Sequence, residues 1–247
     1  MHIDKLPRFP LAQLPTPIET LPRLSHELGG PDLLIKRDDQ TGLALGGNKT
    51  RKLEFLVGDA LAHGADTLVT VGAAQSNHCR QTAAAAARAG FQCELILNGT
   101  KPDLPNGNLL LNQLFGATEH WIDRTQRTAK LRELPEPEHL EYESEVAQIA
   151  NACAAYIGSD VRLGKADIKV VYGYMGEGYG VVGNLEREAI RLMARCEGIV
   201  LDPVYAGRAF GALVDLIRQG AFKRGETVLF WHTGGAPALF AYAKELI

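Results

Sequence analysis

The amino-acid sequence predicts an α/β protein built from open parallel sheets with helices on both faces. Short apolar runs with the pattern of buried strands alternate along the chain with amphipathic helical patterns. Glycine follows several of the predicted helices, where a left-handed residue often closes a helix. Alternation of this kind is typical of β-α-β units, in which each helix returns the chain to the next parallel strand.

The first half of the chain supplies a regular series of these elements. A strand at "LLIKRDD" (33–39) precedes a helix from Thr50 to His63, whose apolar residues share one face. The run "TLVTV" (67–71) is predicted to be a buried strand, and an alanine-rich helix at 76–90 begins with Ser and Asn, which are good caps. The remaining elements are a strand at 93–99, a helix from Asn108 to Phe115 and a strand at "EHWI" (119–122).

The pattern is interrupted and then resumes in the second half. Residues 124–144 are polar, contain Pro-x-Pro and have no strand pattern, as in a linker or a solvated helix followed by a loop. The last helix has Pro237 in its first turn, where proline fits. The elements between are helices at 146–157, 185–197 and 208–219 and strands at "DIKVVY" (167–172), "GIVLDPVY" (198–205) and "TVLFWHTGG" (227–235).

Composition argues against several functional classes. Of the 247 residues, 46% are apolar and 22% are charged, and the formal charge of −3 is too small to favour nucleic acid or an acidic surface as partner. The four cysteines form no C-x-x-C pair, so reduced thiols are expected. The sequence has no signal-peptide pattern and no run long enough to span a membrane. We therefore expect a soluble cytoplasmic protein.

The stretch "GLALGGNKTRKLEFL" (42–56) places Lys49, Arg51 and Lys52 where a helix begins. A helix N-terminus carries partial positive charge, so three cations there are unfavourable unless an anion binds beside them. Cationic neighbours also lower the pKa of a lysine, which can then act as a nucleophile. Composition alone favours the simpler alternative, in which solvated surface cations follow a glycine turn.

A second candidate site is "GAAQSNHCRQT" (72–82), which carries Gln75, Ser76, Asn77 and His78 between a strand and a helix. Such a turn offers backbone N–H groups to a carboxylate or phosphate, at the sheet edge where open α/β proteins bind ligands. A plain N-cap would explain Ser76 or Asn77 but not their polar neighbours. Both interpretations stay open on the residues alone.

Three further glycine-rich junctions carry polar side chains. They place Tyr179 in "MGEGYGVV" (175–182), Tyr205 in "DPVYAGR" (202–208), and Thr233 with Gly234 in "HTGGAPAL" (232–239). Each is weak alone, because a Gly-Gly pair before a helix is usually only a turn. Metal-binding His and Cys motifs, a nucleophile elbow and a phosphate-binding P-loop are all missing from the sequence, so no metal is expected.

Taken in order, these stretches resemble one family. They are "LPTPIE", "LLIKRDDQTGLALGGNKTRKLEFL", "GAAQSNHCRQTAAAAA", "GYG", "EGIVLDPVYAGR" and "HTGGAPALFAY". They are similar to the pyridoxal-phosphate (PLP) enzymes grouped as D-cysteine desulfhydrase and 1-aminocyclopropane-1-carboxylate (ACC) deaminase, which have the tryptophan-synthase-β fold, called fold type II. The resemblance covers nearly all of 1–125 and 140–247 and reverses the interpretation of Lys49.

The resemblance implies a role for each candidate residue. Lys49 would be the Schiff-base lysine, and Lys52 would face the cofactor phosphate, the anion that the three cations require. Asn77 would contact the pyridine hydroxyl, and Thr233 would lie near the ring nitrogen. The 233–235 turn, which contains Gly234, would join Lys52 in holding the phosphate. The substrate side would comprise the predicted carboxylate-binding or proton-moving residue Ser76, its neighbours Gln75 and His78, and the two tyrosines Tyr179 and Tyr205.

The chain departs from the family pattern at two places. Ala206 stands where the deaminases carry a glutamate, which favours a carbon–sulfur lyase over ring opening of the cyclopropane acid. A "GSGGT"-type phosphate loop and a preceding "GGSN" stretch are missing from the sequence, which predicts an internal deletion with its join near 129–138. The predicted domains are an incomplete larger cofactor domain, 1–49 plus 140–247, and a smaller inserted α/β domain, 50–125.

The expected function is therefore β-elimination on D-cysteine or a related sulfur amino acid, giving pyruvate, ammonia and a sulfur product. One alternative is ACC deaminase, and another is a catalytically impaired protein that keeps the PLP-enzyme fold. A dinucleotide-binding enzyme is disfavoured because no G-x-G-x-x-G follows the first strand. The expected partner is a small amino-acid substrate, with no nucleic acid or membrane, and the expected assembly is a homodimer if the deletion permits.

Overall fold

The computed structural model describes residues 3–122 and 142–247, in which six strands form two separate sheets. The first sheet contains β1 (Ile18–Thr20), β2 (Asp32–Arg37) and β6 (Thr227–His232), with β2 in the centre. Strand β6 runs parallel to β2, with Leu33 opposite Val228, whereas β1 runs antiparallel. The parallel arrangement places the carboxyl ends of β2 and β6 at one edge.

The second sheet is parallel throughout. It contains β3 (Thr67–Ala73), β4 (Gln92–Asn98) and β5 (Thr118–Ile122) in that spatial order. Strand β3 lies at its edge, and Val69 and Val71 are 63% and 52% exposed. The prediction that 67–71 is a buried strand is therefore wrong in its burial, because no described element covers that face.

The helices follow the predicted apolar periodicity. They are α1 (Pro22–Leu28), α2 (Lys49–Ala62), α3 (Asn77–Ala89), α4 (Gly107–Leu114), α5 (Tyr142–Ile157), α6 (Asn184–Glu197), α7 (Ala206–Arg218), α8 (Ala236–Leu239) and α9 (Ala243–Leu246). In α3 the Ser76 hydroxyl accepts the Cys79 N–H at 3.2 Å, and Gly90 closes the helix at φ +81°. The predicted last helix is divided, because a 3₁₀ turn at Phe240–Tyr242 separates α8 from α9.

The core consists of three apolar clusters. One joins β2 and β6 to α1, α6 and α7 through residues that include Ile35, Met193 and Phe210. The other two lie around β4 and α3, with α4 on one side and α2 on the other. Separate clusters would suit the two predicted domains, although the division itself stays a prediction.

Two of the predicted strands do not form. The stretches "DIKVVY" (167–172) and "GIVLDPVY" (198–205) have no strand partner among the described residues, and Val171 and Val200 remain about half exposed. An extended segment without a neighbour leaves its backbone groups to water and gains no ladder. The apolar pattern is real, since Leu201 is fully buried, but it is satisfied by packing on helices rather than by pairing.

The interpretation of 124–144 as a linker or a solvated helix and loop lies largely outside the described residues. Its last three residues, 142–144, belong to α5. None of the helices described in 3–122 and 142–247 combines the length and apolarity needed to cross a membrane.

Candidate active site

The loop before α2 is fixed by buried hydrogen bonds. The Thr41 hydroxyl accepts the Gly47 N–H and donates to the Gly47 carbonyl, both at 2.8 Å, and the fully buried Arg80 donates through Nη2 to the Gly46 carbonyl at 2.7 Å. Gly46 and Gly47 have φ of +72° and +128°, which suits glycine alone. These contacts place Lys49 as the first residue of α2.

A second loop, after β6, packs directly on the first. The Asn48 N–H donates to the Thr233 carbonyl at 3.0 Å. A Cβ on Gly234, whose φ is +89°, would lie only 2.6 Å from the Gly47 Cα. Glycine is therefore required at both loops for them to touch, and their contact brings Thr233 beside Lys49.

The two loops open into a cavity of about 840 Å³. Its lining brings together five of the predicted site residues, from five different stretches of the chain: Lys49, Asn77, Tyr179, Tyr205 and Thr233. The Asn108 Nδ2 donates to the Asn77 Oδ1 at 2.9 Å, so the amide of Asn77 is oriented with its NH₂ group available to a ligand.

Lys49 is the titratable group at the centre of this lining. Burial lowers the pKa of Lys49 and the nearby Lys52 lowers it further, while the carboxylate of Asp202 acts in the opposite direction. Its Nζ donates to the Asn48 Oδ1 at 3.0 Å and lies 6.0 Å from the centroid of the Tyr205 ring. A lysine in these surroundings carries a larger neutral fraction than a solvated one and is a better nucleophile and base.

The two tyrosines form a hydrogen-bonded pair. Their Oη atoms are 2.6 Å apart and their rings meet edge to face, with centroids 5.9 Å apart. Burial raises the pKa of Tyr205, and the bond to Tyr179 adds to this effect. Tyr205 is therefore protonated at neutral pH, and its hydroxyl lies within the cavity.

The sequence interpretation missed Asp202. This residue is fully buried, and its carboxylate accepts the backbone N–H groups of Val204, Tyr205 and Ala206 at 2.8 to 3.0 Å. It thereby fixes the start of α7, and with it the ring of Tyr205. Burial raises the pKa of Asp202, while these hydrogen bonds and Lys49 act against the rise. An aspartate four residues before the first residue of a helix was the available signal.

The other predicted site residues do not line the cavity. The Ser76 hydroxyl caps α3, and the side chain of Gln75 bonds the Asn106 carbonyl and the Asn108 N–H. Burial lowers the pKa of His78 to about 4, with Lys52 and Lys49 adding to the shift. Lys52 is exposed, and Gly234 acts through the packing of the two loops. The roles predicted for these residues stay predictions.

A lysine of lowered pKa at the edge of parallel sheets, facing paired tyrosines, defines a lysine-centred enzyme site on an α/β scaffold. The chain belongs to the pyridoxal-phosphate dependent enzyme family, whose sequence model matches residues 10–156 and 136–234. The matches confirm the family that the motifs indicated.

Curated relatives of similar sequence include two that are named D-cysteine desulfhydrase. The chain is 38% identical to D-cysteine desulfhydrase of Salmonella choleraesuis (strain SC-B67), over 98% of both chains. It is 37% identical to D-cysteine desulfhydrase of Salmonella paratyphi C (strain RKS4594), over the same shares. The first alignment runs over 321 positions although this chain has 247 residues, so the relative has residues without a counterpart here. This agrees with the predicted internal deletion, whose join near 129–138 lies outside the described residues.

Solved structures show the same fold. A structure described as an ACC deaminase homologue superposes with a TM-score of 0.82 at 30% identity, over 99% of this chain and 96% of the other. O-ureido-L-serine synthase, solved as a variant with O-ureido-L-serine bound, gives a TM-score of 0.57 at 16% identity, over 93% and 91% of the two chains. The second likeness concerns the fold alone.

Proposed function

We propose that this chain is a PLP-dependent carbon–sulfur lyase that acts by β-elimination on D-cysteine or a related sulfur amino acid. The products would be pyruvate, ammonia and a sulfur compound. The observation that carries the proposal is the position of Lys49, half-buried and with a lowered pKa, in one cavity with a hydrogen-bonded tyrosine pair. The D-cysteine desulfhydrase relatives supply the substrate class.

The residues present suit the cofactor. Lys49 offers an amine, Asn77 an amide NH₂ and Thr233 a hydroxyl from three sides of one cavity. The next residue after Asn77, His78, has a buried Nδ1 without a hydrogen-bond partner among the described residues, although it does not line the cavity. Lys49 would hold the cofactor covalently, and Asn77 and Thr233 would hold its ring. When bound, PLP supplies an electron sink that acidifies the substrate Cα–H.

Side chains of the protein then accept one proton and donate another. The Lys49 Nζ, whose lowered pKa makes the neutral amine accessible, takes the proton from the substrate Cα. Tyr205, which stays protonated at neutral pH and is hydrogen-bonded to Tyr179, supplies the second proton to the departing sulfur. Asp202 keeps Tyr205 in place through the start of α7.

ACC deaminase is the second candidate, since the solved structure that superposes well is described as a homologue of that enzyme. The position after Tyr205 argues against it. Ala206 is 2% exposed and carries no acidic group toward the ring, unlike the glutamate expected of the deaminases. Assay of ACC beside D-cysteine separates the two functions, and ammonia release with 2-oxobutyrate instead of pyruvate would favour the deaminase.

We further propose a cytoplasmic homodimer, as the resemblance implies. A sedimentation measurement of the purified chain tests the dimer, and a monomer at micromolar concentration would refute it. Fractionation of the source cells tests the compartment.

The deciding experiment is a visible absorption spectrum of the purified protein with added PLP, followed by borohydride reduction, peptide mapping and a pyruvate assay. We expect a reducible band that maps to Lys49. The variant Lys49→Ala should lose the band and at least about a thousandfold in pyruvate formation. The control Lys223→Ala, at a lysine outside the cavity, should change neither. A folded protein with no band and no pyruvate would instead support the catalytically impaired alternative.

A further inference from the structure

The cavity that contains Lys49 is lined by many residues besides the three proposed to hold the cofactor. Its volume of about 840 Å³ lies near the top of the range of about 300–1,000 Å³ that is typical of ligand pockets. The polar side chains Asn48, Lys49, Asn77 and Thr233 line one part of it. The rest of the lining is mainly aliphatic and aromatic, with Arg208 as its charged member.

One wall of the apolar end is a single face of α7. Starting from Tyr205 beside Lys49, the lining continues through Ala209, Ala212, Leu213 and Leu216. This is the spacing of one helix face. At 1.5 Å per residue the face extends about 16 Å from the tyrosine. The opposite face of α7, with Phe210, Val214 and Ile217, packs in the core and holds the helix in place.

The facing wall is also apolar and open to a ligand. Val171, Tyr172, Met175 and Trp231 line it and are 51% to 66% exposed. Tyr174 ties this segment to α7 through a 2.6 Å hydrogen bond from its hydroxyl to the Asp215 carboxylate. Large apolar side chains that share one concave surface indicate a binding site for an apolar group, which would remove their surface from water.

The charged side chain that lines this part of the cavity is already paired. Arg208 lines the cavity, but its guanidinium contacts the Glu186 carboxylate and donates to the carbonyls of Gly178 and Val181 at 3.1 and 2.7 Å. An apolar group can therefore enter without stripping water from an unpaired guanidinium.

We propose that the apolar end of the cavity binds a hydrocarbon group on the substrate sulfur, so that the chain cleaves S-alkyl or S-aryl cysteines in preference to free cysteine. This rests on the proposed lyase function. Lys49 removes the Cα proton, the Cβ–S bond breaks with its electron pair on sulfur, and the tyrosine pair protonates the thiolate. One water hydrolyses the remaining three-carbon unit to pyruvate and ammonia, so no oxidant or reductant is needed.

The subsite is tested first by binding of ligands that cannot be eliminated. D-homophenylalanine is S-phenyl-D-cysteine with CH₂ in place of sulfur, and D-2-aminobutyrate is the matching analogue of D-cysteine. The chain has two tryptophans, so in a Trp121→Phe background the fluorescence of Trp231 reports on the cavity. We expect D-homophenylalanine to bind the holoprotein at least about tenfold more tightly than D-2-aminobutyrate.

A blocked subsite provides the matched comparison. Ala212→Phe places a ring in the lining, whereas Ala221→Phe adds the same bulk at an exposed position outside it. The preference for D-homophenylalanine should fall to threefold or less in Ala212→Phe and persist in Ala221→Phe. Ala209→Leu serves as the second blocking variant if circular dichroism shows Ala212→Phe to be misfolded.

Turnover then separates this inference from the proposed function. We expect kcat/KM for S-phenyl-D-cysteine to exceed that for D-cysteine about tenfold, and Ala212→Phe to remove most of that ratio. Pyruvate from D-cysteine with equal affinity for the two analogues would overturn the subsite and leave the lyase intact. Tighter binding of D-homophenylalanine without pyruvate from either cysteine would keep the subsite and overturn the lyase.

Discussion

The two ends of the active-site cavity are built differently. The polar end, around Lys49, is formed by loops that buried side chains hold from beneath, with Thr41 bonded twice to Gly47 and Arg80 bonded to Gly46. The apolar end is formed by one helix face and by a segment without regular secondary structure, Val170 to Met175. Buried hydrogen bonds thus hold the catalytic groups in place, whereas the apolar surface beyond them can select a ligand mainly by its shape.

The difference follows from where each end finds its partners. The polar end is built on β2, β6, α2 and α3, all of which form as their local patterns predict. The apolar end lies where 167–172 does not become a strand. A segment with a strand pattern but no neighbouring strand keeps its apolar side chains and forms no ladder of backbone hydrogen bonds.

Gly234→Ala should have the largest effect on stability, because it disrupts the contact between Gly234 and Gly47 that joins the two loops of the polar end. The new Cβ would lie 2.6 Å from the Gly47 Cα at a φ of +89°. We expect the free energy of unfolding to fall by about 3 kcal/mol, measured by urea denaturation, together with weaker PLP binding. The control is Gly220→Ala, at φ +76° with nothing within 4 Å, which should cost about 1 kcal/mol for backbone strain alone. Equal losses would show that the glycine contact is unimportant.

Most of the polar end could be predicted from sequence, and the reason is local. Local geometry is specified within a few residues by glycine pairs, an N-cap serine and strand ends. These signals are enough to predict that Lys49, Asn77, Tyr205 and Thr233 lie at or just before helix starts. Asp202 escaped notice because its importance comes from burial, which the residue type does not reveal.

The apolar end could not be predicted, since strand formation depends on a partner elsewhere in the chain. "DIKVVY" has strand composition, yet whether it pairs is decided by what lies beside it. The same limit applies to β3, whose edge position leaves Val69 and Val71 exposed. The cavity lining along α7 exists because no described strand covers that face.

The pH dependence of the free energy of unfolding should report on His78, which follows Asn77 in the chain. The folded protein keeps His78 neutral, with a pKa of about 4, whereas an unfolded histidine takes up a proton below about 6.5. The unfolded state therefore binds more protons between pH 6.5 and 4, and the free energy of unfolding falls as the pH falls through that window.

Replacing His78→Gln should remove this contribution. Allowing for partial exposure, we expect the wild type to lose about 1.5 kcal/mol more than His78→Gln between pH 7 and pH 5, measured by urea denaturation. His232, whose pKa is also lowered by burial, is present in both proteins and cancels in the comparison. Parallel stability curves for the two proteins would contradict the assignment.

The apolar end should respond to loss of the hydrogen bond from Tyr174 to α7. Tyr174→Phe removes the hydrogen bond to Asp215, so the segment from Val170 to Met175 should open more often. We expect limited proteolysis within this segment to become a few times faster, while the absorption band of the bound cofactor stays unchanged. Tyr156→Phe, at an exposed position on α5, controls for the loss of a hydroxyl and should leave the cleavage rate as it was.

The smallest expected effect is a shift in the titration of Lys49. Lys52 lowers the pKa of Lys49 by repulsion, so Lys52→Gln should raise that pKa and reduce the neutral fraction of Lys49 at a given pH. The measurement is the pH dependence of reductive methylation at Lys49 in the cofactor-free protein, followed by peptide mass. Its midpoint should move to higher pH in Lys52→Gln and stay in place in Lys52→Arg, which keeps the charge. An unchanged midpoint in Lys52→Gln would mean that burial alone lowers the pKa of Lys49, and that Lys52 is available solely for the cofactor phosphate.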